Sequence, residues 1–103
     1  MAAVERSFPA DHPAAHGHFP GNPVIPGAVL LAVTLPAIEE GLGVSLSSWR
    51  LRSAKFLAPA RPGDRVTIEF ARLADGAIRF ACAVGQRTLV KGELQCDTGP
   101  VEA

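Results

Sequence analysis

The chain has 103 residues, of which 48% are hydrophobic and 19% charged, and its ten basic residues balance ten acidic ones. This length predicts a single domain spanning residues 1–103, because a second core would not fit. The zero formal charge argues against nucleic acid as a main partner, since phosphate binding needs a basic excess or stripe. No apolar run approaches the roughly 20 residues that a membrane span requires.

The N-terminal part begins with a short apolar segment at residues 4–8, which predicts a first strand. It lacks the apolar core of a signal peptide, and two cysteines are too few for a disulfide framework. We therefore expect a cytoplasmic protein with free thiols. Residues 11–27 follow as a loop of Pro, Gly and His. Loops of this length are usually functional or disordered, and its apolar, rigid residues favour a functional one.

Residues 28–40 are nearly all apolar, which predicts a helix that is buried on every side. Pro36 removes one backbone hydrogen bond, so the helix is expected either to kink there or to break into two pieces. Gly41 and Gly43 are expected to end it. A chain this short buries a limited core, and an oligomer that covers further apolar surface is therefore expected.

The C-terminal half is typical of antiparallel strands joined by turns. Strands are predicted at residues 49–57, 65–70, 78–84 and 90–96. Asp75-Gly76 is a strong signal for a two-residue hairpin. A second hairpin around residues 85–87 would place Cys82 opposite residue 90 and hold the two thiols about 20 Å apart. The prediction is an α+β domain in which one central helix precedes a meander of at least four strands.

The loop before the helix holds the candidate site. His18 can carry protons near neutral pH, prolines and glycines make its surroundings rigid, and the first N–H groups of a helix follow within ten residues. This combination predicts a catalytic site. His12 and His16 are expected to be solvent-facing or structural. Because the loop has no cysteine ligand and its Pro/Gly frame needs no metal to explain it, we predict neither a metal nor another cofactor.

Loop, buried helix and meander together resemble the hot-dog fold, in which a long antiparallel sheet wraps a central helix. Residues 18–27, His-Phe-Pro-Gly-Asn-Pro-Val-Ile-Pro-Gly, are similar to the signature of the 3-hydroxyacyl-[acyl-carrier-protein] dehydratases of fatty-acid synthesis. The preceding residues 11–17 resemble shorter members of that group, including those in gene clusters for aryl polyene pigments. Residues 54–64 resemble the family's second motif, a strand with a Pro-Gly-Asp turn.

The resemblance implies a mechanism and a substrate. His18 would remove or relay the C2 proton of a 3-hydroxyacyl thioester, carried on acyl carrier protein or coenzyme A. The N–H of Gly27 or Ala28 would hold the thioester carbonyl, and a helix carboxylate from the partner subunit would protonate the departing hydroxyl. Residues expected to line the substrate site are Phe19, Pro20, Gly21, Pro26, Gly27, Ala28 and Ala32.

The chain departs from the family at the acid. Counted from Pro26-Gly27, the carboxylate position falls at Ala32, which cannot donate a proton. Glu39 and Glu40 are the nearest helical acids, but Glu39 lies about 10 Å further along the axis. The other candidates are Asp11 and Asp64. Loss of a general acid typically costs a factor of about 10²–10⁴ in rate.

Three functions remain open. The chain is a hydro-lyase of 3-hydroxyacyl thioesters with an unidentified acid, a thioesterase of the same fold, or a non-catalytic acyl-binding subunit that pairs with an active dehydratase. Ala32 favours the second and third hypotheses, whereas the His18 motif favours the first and third. The expected assembly is a homodimer or a heterodimer with a related hot-dog subunit.

Overall fold

The computed structural model describes residues 2–9 and 24–96, which form one helix and five strands. The elements are β1 (Ala2–Ser7), α1 (Gly27–Leu42), β2 (Trp49–Phe56), β3 (Arg65–Arg72), β4 (Ile78–Val84) and β5 (Arg87–Cys96). All strand pairs are antiparallel, and the sheet order is β1-β3-β4-β5-β2. The chain therefore passes through α1 from one edge of the sheet to the other. The α+β prediction is confirmed. The predicted meander of at least four strands is wrong, because β2 pairs with β5 and not with β3, so that only β3, β4 and β5 follow one another as neighbours.

The core lies between α1 and one face of the sheet, which we call the inner face. Alternate residues of β3, among them Ile68 and Phe70, are fully buried, and their neighbours point to the exposed outer face. Phe70 pairs with Phe80 of β4, and both rings lie in the cluster that also contains Leu30 and Ile38 of the helix. Burial of such side chains stabilises the fold by about 1.5–3 kcal/mol each.

The helix is longer and more regular than expected. It begins at Gly27 and passes through Pro36 without a break, so of the two predicted alternatives, a kink or a division into two pieces, the division is wrong. Pro36 lies on the exposed side, where solvent can replace the missing hydrogen bond. Gly43 ends the helix in the left-handed conformation, with φ 68°, and its N–H donates to the Glu39 carbonyl at 2.8 Å. Gly41 lies inside the last turn.

Burial around the helix is one-sided. The buried residues are Leu30, Thr34, Ala37 and Ile38. The exposed residues Ala28, Ala32, Pro36 and Glu40 recur every four positions and form what we call the exposed helix stripe. The prediction of burial on every side is therefore wrong for the single chain. The sheet covers only one side of the helix. Alanine and proline are apolar, so the sequence pattern predicts them to be buried although here they are exposed.

The turn between β3 and β4 is a three-residue loop and not the predicted two-residue one. The Leu73 N–H donates to the Ala77 carbonyl at 2.8 Å, and the Gly76 N–H donates to the Leu73 carbonyl at 2.9 Å. Gly76 has φ 87°, which supplies the positive φ that the last position of such a loop requires. The hairpin itself was predicted correctly, but the Asp-Gly signal does not determine how many residues the loop contains.

Gly92 in β5 is expected to be sensitive to substitution. A Cβ at this position would lie 2.5 Å from Phe80 Cζ and 2.5 Å from the backbone oxygen of Ser53, which cannot move aside without distorting β2. We expect Gly92→Ala to lower the free energy of unfolding by about 1–3 kcal/mol in urea denaturation. Lys91→Ala, on the exposed face beside it, should change it by less than about 0.5 kcal/mol. Equal stability of the two variants would contradict this packing.

Candidate functional site

The segment that leads into α1 is anchored to the loop between β2 and β3. The Ile25 N–H donates to the Ala60 carbonyl at 2.7 Å, and the two residues form an isolated antiparallel bridge. Both side chains are buried in the core cluster. Pro26 follows as the N-cap residue with an extended ψ of 147°. The start of the helix is therefore held in a defined position beside residues 56–60.

Two N–H groups in the first turn of α1 have no acceptor among the described residues. The N–H groups of Val29 and Leu30 donate to the Pro26 carbonyl at 3.0 and 3.1 Å. For the N–H groups of Gly27 and Ala28, the described residues provide no acceptor, and the first turn has no side-chain cap and no acidic residue. Such a helix start carries partial positive charge and can hold the oxygen of a polarised carbonyl.

An apolar cavity of about 590 Å³ adjoins these N–H groups. It is lined by residues 24–28, Leu30 and residues 56–60, none of which has a polar side chain. Phe56 and Leu57 on its wall are 50% and 47% exposed. Cavities of this size accommodate small organic ligands, and an apolar lining favours hydrocarbon. The site can therefore hold an apolar chain next to a hydrogen-bonded oxygen.

The structure brings together part of the predicted site. Pro26, Gly27 and Ala28 line the cavity, and Ala32 lies one turn further along α1 on the exposed helix stripe. His18, Phe19, Pro20 and Gly21 lie outside the described residues, as do His12, His16 and Asp11. In residues 2–9 and 24–96, no three side chains of His, Cys, Asp or Glu are grouped as metal ligands.

The three described candidates for the missing acid have other contacts. Glu39 Oε2 accepts the backbone N–H of Leu46 at 2.7 Å, which holds the loop after the helix. Glu40 pairs with Arg6 of β1 at 3.0 Å, and Asp64 accepts a backbone N–H within its own turn at 2.8 Å. Within the described ranges, no carboxylate lines the cavity. A general acid for this cavity would have to come from a carboxylate outside the described residues, such as Asp11, or from another chain.

Sequence reasoning missed Phe56 and Leu57. Both come at the end of a strand that was predicted correctly, and an apolar residue there is usually taken as core. Their proximity to the helix start depends on a contact between segments about thirty residues apart, which no local pattern reveals. The signal in the sequence was a pair of consecutive large apolar residues. In a strand with one buried face, only one residue of such a pair is expected to be apolar.

Cys82 is a nucleophilic side chain that the site does not use. It is fully buried on β4, opposite Val90 as predicted, and its Sγ lies 3.3 Å from Thr34 Oγ1 of the helix. Burial raises the pKa of the Cys82 thiol, an effect only partly opposed by the hydrogen bond with Thr34. The group is a free cysteine that packs as a small apolar residue.

The sheet and helix have many counterparts among solved structures. The dehydratase heterocomplex ApeI:P from Xenorhabdus doucetiae matches with a TM-score of 0.71 and 18% identity, covering 91% of this chain and 85% of that one. The (R)-hydratase from A. caviae matches at 0.66 and 19%, covering 92% of each chain. A probable thioesterase from Bartonella henselae matches at 0.62 and 19%, covering 96% and 93%. The fold is thus the predicted hot-dog fold, found in dehydratases, hydratases and thioesterases.

Sequence comparison is more specific. Residues 1–93 match the profile of the ApeI-like family, described as ApeI dehydratase, and the chain belongs to that family. The 3-hydroxyacyl-[acyl-carrier-protein] dehydratase FabZ of Chlamydia trachomatis serovar L2 is 34% identical over 104 residues, which cover 88% of this chain and 68% of that protein. FabZ of Caulobacter vibrioides is 32% identical over 108 residues, covering 87% and 67%. The family predicted from the loop motif is confirmed.

No helix within the described ranges has both the length and the apolar character needed to cross a membrane.

Cys82 should be inert in the folded protein. In a Cys96→Ser variant, which leaves Cys82 as its one thiol, we expect no reaction with a disulfide reagent such as DTNB at pH 7.5. Burial excludes the reagent, and the raised pKa keeps the thiol protonated. Urea should expose one reactive thiol per chain. Rapid labelling of the native variant would show that α1 does not cover β4 as described.

Proposed function

We propose that this chain takes part in the dehydration of 3-hydroxyacyl thioesters carried on acyl carrier protein or coenzyme A. The observation that carries the proposal is the apolar cavity lined by Gly27 and Ala28, whose N–H groups have no acceptor in the described part of the chain. An acyl thioester combines a hydrocarbon chain with a carbonyl oxygen, which are the two groups this cavity accommodates. Membership of the ApeI-like family supports the same reaction.

The proposed elimination assigns one proton transfer to His18. The imidazole takes the C2 proton, the electron pair forms the C2=C3 double bond, and the C3–O bond breaks. The N–H groups at the start of α1 stabilise the negative charge that develops on the thioester oxygen. The departing hydroxyl takes a proton from a general acid and leaves as water. The products are a 2-enoyl thioester and one water molecule.

The proposed site lacks a general acid at the expected position, because residue 32 is alanine. The residue is exposed and has only a methyl group where the related dehydratases are expected to have a carboxylate. We infer that the acid is supplied by a second hot-dog chain, so that this chain contributes the base and the carbonyl site. The second candidate function follows from the same alanine: an acyl-binding subunit that contributes no chemistry of its own.

Edge strand β2 is the surface we propose for that second chain. One side of β2 pairs with β5, and no described strand pairs with its other side. The strand has eight residues and no proline, and Leu51 on it is 41% exposed. Free backbone groups beside exposed apolar side chains favour pairing with another strand.

The cytoplasmic location of the protein stays a prediction.

The charges on β2 favour a partner that differs from this chain. Arg52 and Lys55 are exposed on the strand, where Arg52 lies 3.8 Å from Glu93 of β5, and the sequence has no acidic residue between Glu40 and Asp64. Antiparallel pairing of two copies would bring these cations together, at a cost of about 0.2–1 kcal/mol for each directly opposed pair. A related hot-dog chain with acidic residues on its edge strand would be attracted instead.

The proposed reaction can be tested by adding back the acid. We expect purified Ala32→Glu protein to convert a short 3-hydroxyacyl carrier-protein thioester about 10²–10⁴ times faster than the wild type, provided that two copies assemble. Mass spectrometry detects the loss of one water. Ala32→Gln is the matched control, because it has the same size and cannot donate a proton at neutral pH. His18→Ala in the Ala32→Glu background should abolish the gain.

Other products would distinguish the remaining functions. Free acid released by the wild-type chain would indicate a thioesterase and contradict the dehydration proposal. Unchanged substrate with the wild type, followed by His18-dependent loss of water when a carboxylate-bearing relative is added, would support the half-site arrangement. If His18→Ala were harmless in that mixture, the chain would be a binding subunit only.

The charge argument predicts salt-dependent self-association. Sedimentation should show less dimer at about 0.05 M NaCl than at about 0.5 M, because salt screens the opposed cations. Lys55→Glu should strengthen the dimer at low salt, whereas Arg72→Glu, on β3 away from the edge, should not. A homodimer that is equally tight at both salt concentrations and indifferent to Lys55→Glu would overturn the preference for a different partner.

A further inference from the structure

Phe56 packs directly on the first residue of the helix. An ideal Cβ built on Gly27 would lie 2.7 Å from Phe56 Cε1 and 2.9 Å from Cζ. These separations are shorter than any ordinary contact between carbon atoms, so the ring occupies the space that a side chain at Gly27 would need. The edge of an aromatic ring therefore lies beside the first residue of the helix, whose N–H has no acceptor in the described part of the chain.

The ring also forms part of the cavity wall. Phe56 pairs with Val90 of β5, which is completely buried, yet half of the Phe56 side chain remains exposed. Phe56 and Leu57 line the cavity together with Ile25 and Pro26. A large apolar side chain left half exposed at the mouth of an apolar cavity has surface available for a ligand.

We infer that Phe56 is a specificity-determining residue that limits the length of the acyl chain. This inference rests on the proposed function. A thioester oxygen bound by the N–H of Gly27 or Ala28 places the following carbon atoms within reach of the ring. The described residues of the lining have no polar side chain for the amides of a pantetheine arm, so the hydrocarbon is the part of the substrate that suits them.

Two substitutions are expected to change the size of the cavity beside Phe56 in opposite directions. Phe56→Ala removes the ring and extends the cavity, which should favour longer chains. Gly27→Ala retains the N–H but adds a methyl group where the ring edge now lies, which pushes the ring toward the cavity and should favour shorter chains. Phe56→Leu combined with Gly27→Ala should restore the wild-type preference, because the shorter side chain leaves room for the methyl group. A residue with a purely structural role would not give opposite shifts.

The experiment measures binding separately from turnover. The probes are pantetheine thioethers with 2-oxoalkyl chains of four, eight and twelve carbons, which keep the carbonyl but cannot be hydrolysed. Calorimetry gives Kd for the purified full chain and its variants. The ratio of Kd for the four-carbon probe to that for the twelve-carbon probe should rise at least about tenfold in Phe56→Ala and fall in Gly27→Ala. Arg72→Ala is the control, because this exposed residue lies on β3, away from the proposed partner surface, and does not line the cavity.

The outcomes separate the two proposals. Opposite shifts in the two single variants, with recovery in the double variant, support the assignment of Phe56. An unchanged ratio in Phe56→Ala, with probes that still bind the wild type, overturns that assignment and leaves the proposed function intact. Failure of every probe to bind the wild type overturns the acyl-thioester function itself, and the role of Phe56 with it. An equal shift in Arg72→Ala would attribute the effect to a general change in the sheet and also overturn the assignment.

Discussion

Close contact between glycines of the helix and phenylalanine rings of the sheet determines how α1 lies in this fold. Gly27 meets the ring of Phe56 near the start of the helix, and Gly41 meets that of Phe70 near its end. A side chain at either position would hold the helix away from the sheet. Because both ends are close, Leu30 and Ile38 reach the core from between them. The first N–H groups of the helix come to lie beside the cavity for the same reason.

The two sides of the helix have different roles. One side packs on the sheet and stabilises the fold, whereas the exposed helix stripe contributes nothing to the core of the single chain. Ala32, at the position of the expected acid, belongs to the stripe. A different side chain at residue 32 would therefore change the chemistry of the site without changing how this chain folds. A second chain that approaches this side can add a functional group without any change in how the first chain packs.

Prediction from sequence succeeded where local pattern and tertiary burial agree. The alternation of Val66, Ile68 and Phe70 identified β3, because the same residues that alternate are those that face the helix. It failed where small apolar residues are ambiguous. Ala28 and Ala32 fit a buried helix as well as an exposed one, and only the extent of the sheet decides between these alternatives.

The candidate site shows the same limit. Pro26-Gly27 marked the start of the helix and its N–H groups because proline and glycine constrain the backbone locally. Phe56 was not found, since its place in the site depends on a contact with Gly27 across the fold. The hydrogen-bond partners of the carboxylates could not be predicted from the sequence either. Glu39 holds a loop through a hydrogen bond to Leu46, a partnership that depends on the path of the chain after the helix.

The exposed position of Ala32 has a consequence for how such proteins diverge. In the genetic code, a single change at the middle base converts any alanine codon into one for aspartate or glutamate. At a buried position the resulting charge would be strongly disfavoured, but here it would meet solvent or a neighbouring chain. The mutational distance between a chain that lacks the acid and one that has it is therefore as short as it can be. Gene duplication followed by one such change would suffice to divide the two halves of a reaction between sister subunits.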